Sequence, residues 1–137
     1  MPFYLLDHTA DLGLRIQAGD LPELFETAAA ALGEQLVQAP QAADFRHQQI
    51  DVVGEDWADL LINWLRELLA CWHLDGYAVR RARCVALSPY KLSADVAFLP
   101  FDPAIHTPQQ EIKAATYHQL DVSPAAEGWQ ATVIFDL

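Results

Sequence analysis

Residues 56–76 read DWADLLINWLRELLACWHLDG, and this stretch decides what kind of fold the chain builds. Trp57, Leu60, Leu61, Trp64, Leu65, Leu68, Leu69 and Trp72 recur at intervals of three and four, with Asp56, Asp59, Asn63, Arg66, Glu67 and His73 elsewhere on the wheel. That spacing predicts an amphipathic helix. Three tryptophans on one stripe, each able to bury about 150–250 Å², assign the stripe to a core packed on a sheet rather than to ligand stacking. Gly76 stops the helix.

Outward from this helix the period changes from 3.6 to 2. On its C-terminal side, Tyr77 to Leu87 and Lys91 to Phe98 alternate around a Ser88–Pro89–Tyr90 turn, the pattern of a hairpin. Residues 100–110, PFDPAIHTPQQ, read as a Pro-bounded loop. Alternation resumes from Ile112 to Val122, breaks at SPAAEG, and runs from Trp129 to Leu137. On the N-terminal side, Phe45 to Val53 reads as a strand and residues 37–44 as a loop. Before them, Asp20 opens D-L-P-E, with a capping side chain, Pro in the first turn and Glu23 three places on. This predicts a second helix, with Leu21, Leu24, Phe25, Ala28, Leu32 and Leu36 as its buried stripe. Phe3 to Leu6 and Leu12 to Gln17 alternate on either side of DHTAD, residues 7–11. Two main helices amid about seven strands predict an α+β fold with a largely antiparallel sheet, organised as a single domain over residues 1–137.

The bulk numbers narrow the function classes. With 53% hydrophobic residues over 137 positions, the chain builds a core without disulfides or a structural metal. Nineteen acidic side chains against eight basic ones give a formal charge of −11, which disfavours direct nucleic-acid binding and favours a basic partner. Cys71 and Cys84 form no CxxC pair, and Cys71 falls inside the helical pattern, as expected of a reduced chain. MPFYLLDHTAD has no basic leader, and no apolar run approaches membrane-spanning length. The expected location is the cytoplasm, with no membrane partner.

The five histidines, at 8, 47, 73, 106 and 118, fall at no paired zinc spacing. Phosphate-cradling glycine motifs and a GxSxG elbow are missing, and no nucleophile has a visible base. Carboxylates remain as the chemistry-bearing groups. Asp7 and Asp11 bracket a turn, where Asp7 equally well hydrogen-bonds its own backbone two residues on. Asp136 and the α-carboxylate of Leu137 lie one residue apart at the other end of the sequence. If that end adjoined the DHTAD turn, several anions would converge, and a bound cation would relieve their repulsion. The residues alone leave open whether the two ends meet.

HTADLG (8–13), DLPELFETAAAAL (20–32), DLLINWLRELL (59–69), EIKAATYH (111–118) and the final FDL, taken together and in this order, resemble the archease family, accessory proteins of the tRNA-splicing RNA ligase RtcB. The resemblance spans nearly the whole chain. It implies an α+β protein that is not itself an enzyme. Its implied role is to activate an RtcB-type ligase, promoting guanylylation of the ligase's histidine and multiple turnover in tRNA splicing or RNA repair. It also implies a divalent cation, calcium first and magnesium or manganese as alternatives, held by Asp11, Asp136 and Leu137, with His8 beside the ligands rather than among them. One departure stands out: where family members commonly carry a Gly-Glu pair, this chain has Phe98, Leu99 and Pro100. Two other classes compete with the activator. One is a metal-dependent phosphoester hydrolase using the same carboxylates, with Arg15 as its nearest phosphate-binding candidate; the other is a chaperone-like protein-binding module without a metal.

Overall fold

The computed structural model describes residues 3–6, 11–39 and 45–137. Within them the chain forms strands β1 (Phe3–Leu6) and β2 (Asp11–Ala18), helix α1 (Leu21–Leu36), strands β3 (Val37–Gln38) and β4 (Arg46–Val53), and helix α2 (Trp57–Asp75). Strands β5 (Tyr77–Ser88), β6 (Lys91–Pro100), β7 (Thr107–Pro108), β8 (Ala114–Ala125) and β9 (Gly128–Asp136) complete it. The α+β class, the two helices and the antiparallel pairing all agree with the sequence pattern. Seven of the strands are those expected; β3 and β7 are two-residue additions inside segments read as loops. The strands do not join into one sheet. They hydrogen-bond as a four-stranded sheet β1–β2–β9–β8, a three-stranded sheet β4–β6–β5 and the small pair β3–β7, every pairing antiparallel.

Both helices begin with an aspartate cap. The Asp20 carboxylate accepts from the Glu23 N–H at 2.9 Å, and Asp56 accepts from the Asp59 N–H at 2.8 Å, each satisfying an otherwise orphaned donor. Their ends differ. Gly76 closes α2 in the left-handed region, φ 69°, where glycine carries no Cβ penalty. Helix α1 instead runs into extended Val37, and its last carbonyls find partners across the chain. Gln109 N–H donates to Leu36 O at 3.0 Å and Gln110 N–H to Gln35 O at 2.9 Å. This pins the segment around β7 to the end of α1 and explains why strands form where the pattern shows only a Pro-bounded loop.

The helices join the two larger sheets: α1 packs on β5, β2 and β9, and α2 on β8, β5, β4 and β6. Leu14, Ile16, Leu32, Leu61, Leu65, Val133 and Phe135 lie in the shared core with no exposure. Of the three stripe tryptophans, Trp64 is fully buried while Trp57 and Trp72 sit half-buried at its margins. The buried indole needs a hydrogen-bond acceptor, and Trp64 Nε1 donates to Phe25 O at 3.0 Å, tying α2 to α1. At Gly33 the fit is tightest, because a Cβ there would lie 1.8 Å from the Val79 carbonyl oxygen of β5. Among the described residues, no helix is long and apolar enough to cross a membrane.

Candidate functional site

Strand β2 runs antiparallel to β9, with Asp11 opposite Asp136, Leu12 opposite Phe135 and Leu14 opposite Val133. The apolar residues of this register fill the core. Because side chains alternate along a strand, Asp11 and Asp136 point together to the other side of the sheet. Register partners of this kind hold their Cβ atoms about 4.5–5.5 Å apart. Two carboxylates far apart in sequence are thereby placed side by side at one end of the sheet, Asp11 half-buried and Asp136 exposed. Leu137 follows directly, 37% exposed, so its main-chain oxygens lie one residue beyond the pair. Asp7 and His8 lie outside the described residues.

The neighbouring strand completes the frame. Ala114 of β8 faces Asp136 on its other side, and the Lys113 N–H donates to the Asp136 carbonyl at 2.8 Å. That carbonyl is already engaged, and among the described residues the Asp136 and Asp11 carboxylates and Leu137 offer oxygens without a hydrogen-bond partner. Lys113 was not singled out in the sequence, since a main-chain donor has no residue-type signature. One row further in, Gly13 opposes Ile134. Both are buried even though they share the acid pair's side of the sheet, so the carboxylates stand beside an apolar floor.

Like charges directly opposite one another on a sheet are destabilising, so the pair has an intrinsic demand for a counter-charge. The donor set is oxygen only, the chemistry that suits hard cations such as Ca²⁺, Mg²⁺ or Mn²⁺ rather than thiophilic metals. Two carboxylates and a main-chain oxygen are fewer ligands than Ca²⁺ usually gathers, about six to eight oxygens. Positions would therefore remain for water or for oxygens of another molecule. Elsewhere, the potential nucleophiles are poorly activated: burial, aided by Glu67 and Asp75, pushes the Cys71 thiol above its usual value, and burial with Glu26 and Asp20 does the same to Cys84. Both are free cysteines.

Comparison with known proteins identifies the family. The model of the Archease protein family matches residues 3–137. "Protein archease" of Pyrococcus abyssi is 33% identical over 135 residues, covering 96% of this chain and 95% of the relative. The protein archease of Methanopyrus kandleri is 29% identical over 140 residues, covering all of both chains. Among solved structures, the solution structure of Methanobacterium thermoautotrophicum protein 1598 superposes with a TM-score of 0.81 at 26% identity, covering 99% of each chain. The fold also matches the crystal structure of a Thermotoga maritima archease, described as a possible chaperone, with a TM-score of 0.69 at 22% identity over 96% of this chain and 94% of that one. With the family model spanning almost every residue and both strands of the acid pair lying inside the match, this chain belongs to the archease family.

Proposed function

We propose that this protein is a cytoplasmic, non-catalytic activator of an RtcB-type RNA ligase, and that Asp11, Asp136 and the main-chain oxygens of Leu137 hold a divalent cation, calcium first. The observation that carries the reading is the Asp11–Asp136 register pair in a chain of this family. Two carboxylates facing each other across adjacent strands gain stability only when a positive charge joins them, and an oxygen-only set with spare positions suits a cation shared with another molecule. When bound, such an ion supplies positive charge and open coordination positions to phosphate or carboxylate oxygens of the partner. The protein's part is to hold those two carboxylates at fixed spacing on a rigid sheet end and to keep Asp136's carbonyl occupied through Lys113. The pair itself and the chain's net charge of −11 favour a basic docking site on the ligase. Charge complementarity of this kind speeds encounter more than it fixes affinity, so the association is expected to weaken with salt.

The test is an RNA ligation assay with the cognate ligase under multiple-turnover conditions. Added protein should raise the number of turnovers per ligase and the level of guanylylated ligase, while the protein alone should leave RNA and nucleotides unchanged. Asp11→Ala should lose the stimulation. Full stimulation by Asp11→Ala would remove the cation from the account, and hydrolysis of RNA or nucleotide by the protein alone would replace the activator with a phosphoester hydrolase. A second reading, a chaperone-like module that shields a protein partner without a cation, is favoured by the description of the Thermotoga maritima relative as a possible chaperone. It predicts suppression of partner aggregation that persists in chelator and in Asp11→Ala.

A further inference from the structure

Charge is distributed very unevenly over this chain. The three strands β4, β6 and β5 carry five of its eight cationic side chains, Arg46, Arg80, Arg81, Arg83 and Lys91, but only two of its nineteen acids, Asp51 and Asp95. The small sheet is formally +3 and the remainder of the chain −14; on its outward face the register sets Arg81, Arg83 and Lys91 among Asp51 and Asp95, while Arg46 stands opposite core-facing Phe98 and Arg80 lies beside Glu34 and Gln38. A chain-wide charge of −11 disfavours nucleic acid, yet charge acts locally, since the Debye length is only about 8 Å at physiological salt.

The register sorts the faces of this sheet. Ile50, Val52, Leu92, Ala94, Val96 and Phe98 point to the core. On the opposite side, His47, Ala97 and Arg81 form one cross-strand row and Gln49, Asp95 and Arg83 the next, with His47, Arg81 and Arg83 exposed. The Arg81 guanidinium lies 5.4 Å from the centre of the Phe45 ring, and the His47 ring meets Phe45 edge-on at 6.5 Å. A shallow recess of about 370 Å³ opens among His47, Arg81, Arg83 and Asp95. Among the described residues Arg81 has no ion-pair partner, and Arg83 pairs with Asp95 at 2.5 Å on the surface.

We propose that this outward face binds single-stranded RNA through its phosphates. Guanidinium groups present donors in a fork that matches phosphate oxygens. A half-buried aromatic ring beside a cation is the platform on which an unpaired base stacks, and a positively charged open surface with such a platform is how sequence-tolerant single-strand binding is built. The acidic remainder then helps to orient the ligand, since the rest of the chain holds three cations, Arg15, Arg66 and Lys113, against seventeen acids. The Phe45 ring packs partly against the core, and the part it leaves open beside Arg81 and His47 offers a stacking surface that an unpaired base uses and an acidic protein segment does not.

The experiment is fluorescence anisotropy of a short uridine-rich RNA with the whole protein, in chelator and without any ligase, so its outcome is independent of the cation and of the activator role. Engaging about three phosphates predicts a slope of about −2 in log affinity against log salt, or roughly a 20-fold loss between about 50 and about 200 mM. Arg81→Gln should weaken binding and flatten that slope by about 0.7, and Arg81→Glu should abolish binding while thermal melting shows the fold intact. Arg15→Glu, the same charge change on the other sheet, should leave the affinity nearly unaltered. Equal weakening by Arg15→Glu and Arg81→Glu, or no binding at low salt, would overturn the proposal. So would competition by a poly-glutamate peptide as effective as that by RNA, which would assign the face to an acidic protein, or an Arg81-dependent dimer in sedimentation, which would assign it to a second copy.

Discussion

The four-stranded sheet ends in two facing carboxylates, Asp11 and Asp136, whereas the three-stranded sheet turns His47, Arg81 and Arg83 outward beside two aspartates, Asp95 tied to Arg83 and Asp51 bonded to Gln49. Both sheets use the same inward alternation of Leu, Ile, Val, Ala and Phe, and both lean on the same two helices. The inward positions are constrained by packing and make the two sheets alike; the outward positions are left free by packing and make them opposite in sign. Partner choice is therefore written on the faces that the fold does not use. The sheets also differ in how they are held to the helices.

Helix α1 touches β5 almost backbone to backbone at Gly33, where a Cβ would fall 1.8 Å from Val79 O, while it meets β2 and β9 through side chains such as Leu14, Leu24 and Val133 in the shared core. A carbonyl cannot rotate away as a side chain can. Gly33→Ala is expected to cost about 3 kcal/mol, the upper part of the usual range for overpacking, measured by chemical denaturation. Hydrogen exchange should show amides of β5 and β6 losing protection before those of β2 and β9. Uniform loss across both sheets would mean that α1 holds them equivalently.

Periodicity in the sequence was enough to place both helices and the seven longer strands, because each buries one face and so repeats at 3.6 or 2. The Asp20 cap and the Gly76 stop were equally readable, since both are local chemistry. Pairing was not. Tyr77–Ser88 and Lys91–Pro100 meet through a two-residue turn and announce themselves as a hairpin, but β2 and β9 meet across most of the chain, and nothing local reports a long-range partner. The acid pair was therefore visible as residues and invisible as a pair. In β8 the alternation looks unbroken, yet Gln119 takes φ 54° and the register shifts between Thr116 and Asp121; a bulge keeps the residue types and changes which face they serve. The basic face was hidden for the same reason, its cations averaged into −11 until the three strands that carry them were adjacent.

The acid pair supplies the second test, through the sign of a stability change. In chelator, replacing one of two facing carboxylates removes repulsion, so Asp11→Asn should be the more stable protein by about 0.2–1 kcal/mol. With calcium the order should reverse. A ligand present at about a hundred times its dissociation constant stabilises the folded state by about 2.7 kcal/mol, and only the chain with both carboxylates should gain it. Thermal unfolding of the two proteins with and without the ion measures both signs. Equal calcium shifts would place the ion elsewhere, and a less stable variant in chelator would mean that the two carboxylates do not oppose each other.

The smallest effect belongs to Asp95, and it separates stability from binding. Its pair with Arg83 has side chains 73% and 46% exposed on the Arg and Asp sides respectively, and an ion pair that open to water contributes only about 0–1 kcal/mol. Asp95→Asn should therefore leave the melting temperature almost where it was. For RNA the consequence runs the other way: the substitution removes the one anion that borders the recess among the described residues and frees the Arg83 guanidinium, so affinity should rise and the salt slope steepen by about 0.7 as one further phosphate is engaged. Weaker RNA binding by Asp95→Asn at unchanged stability would show that Asp95 positions Arg83 for its ligand rather than competing with it, and the face would then act as a set of oriented donors instead of a field of positive charge.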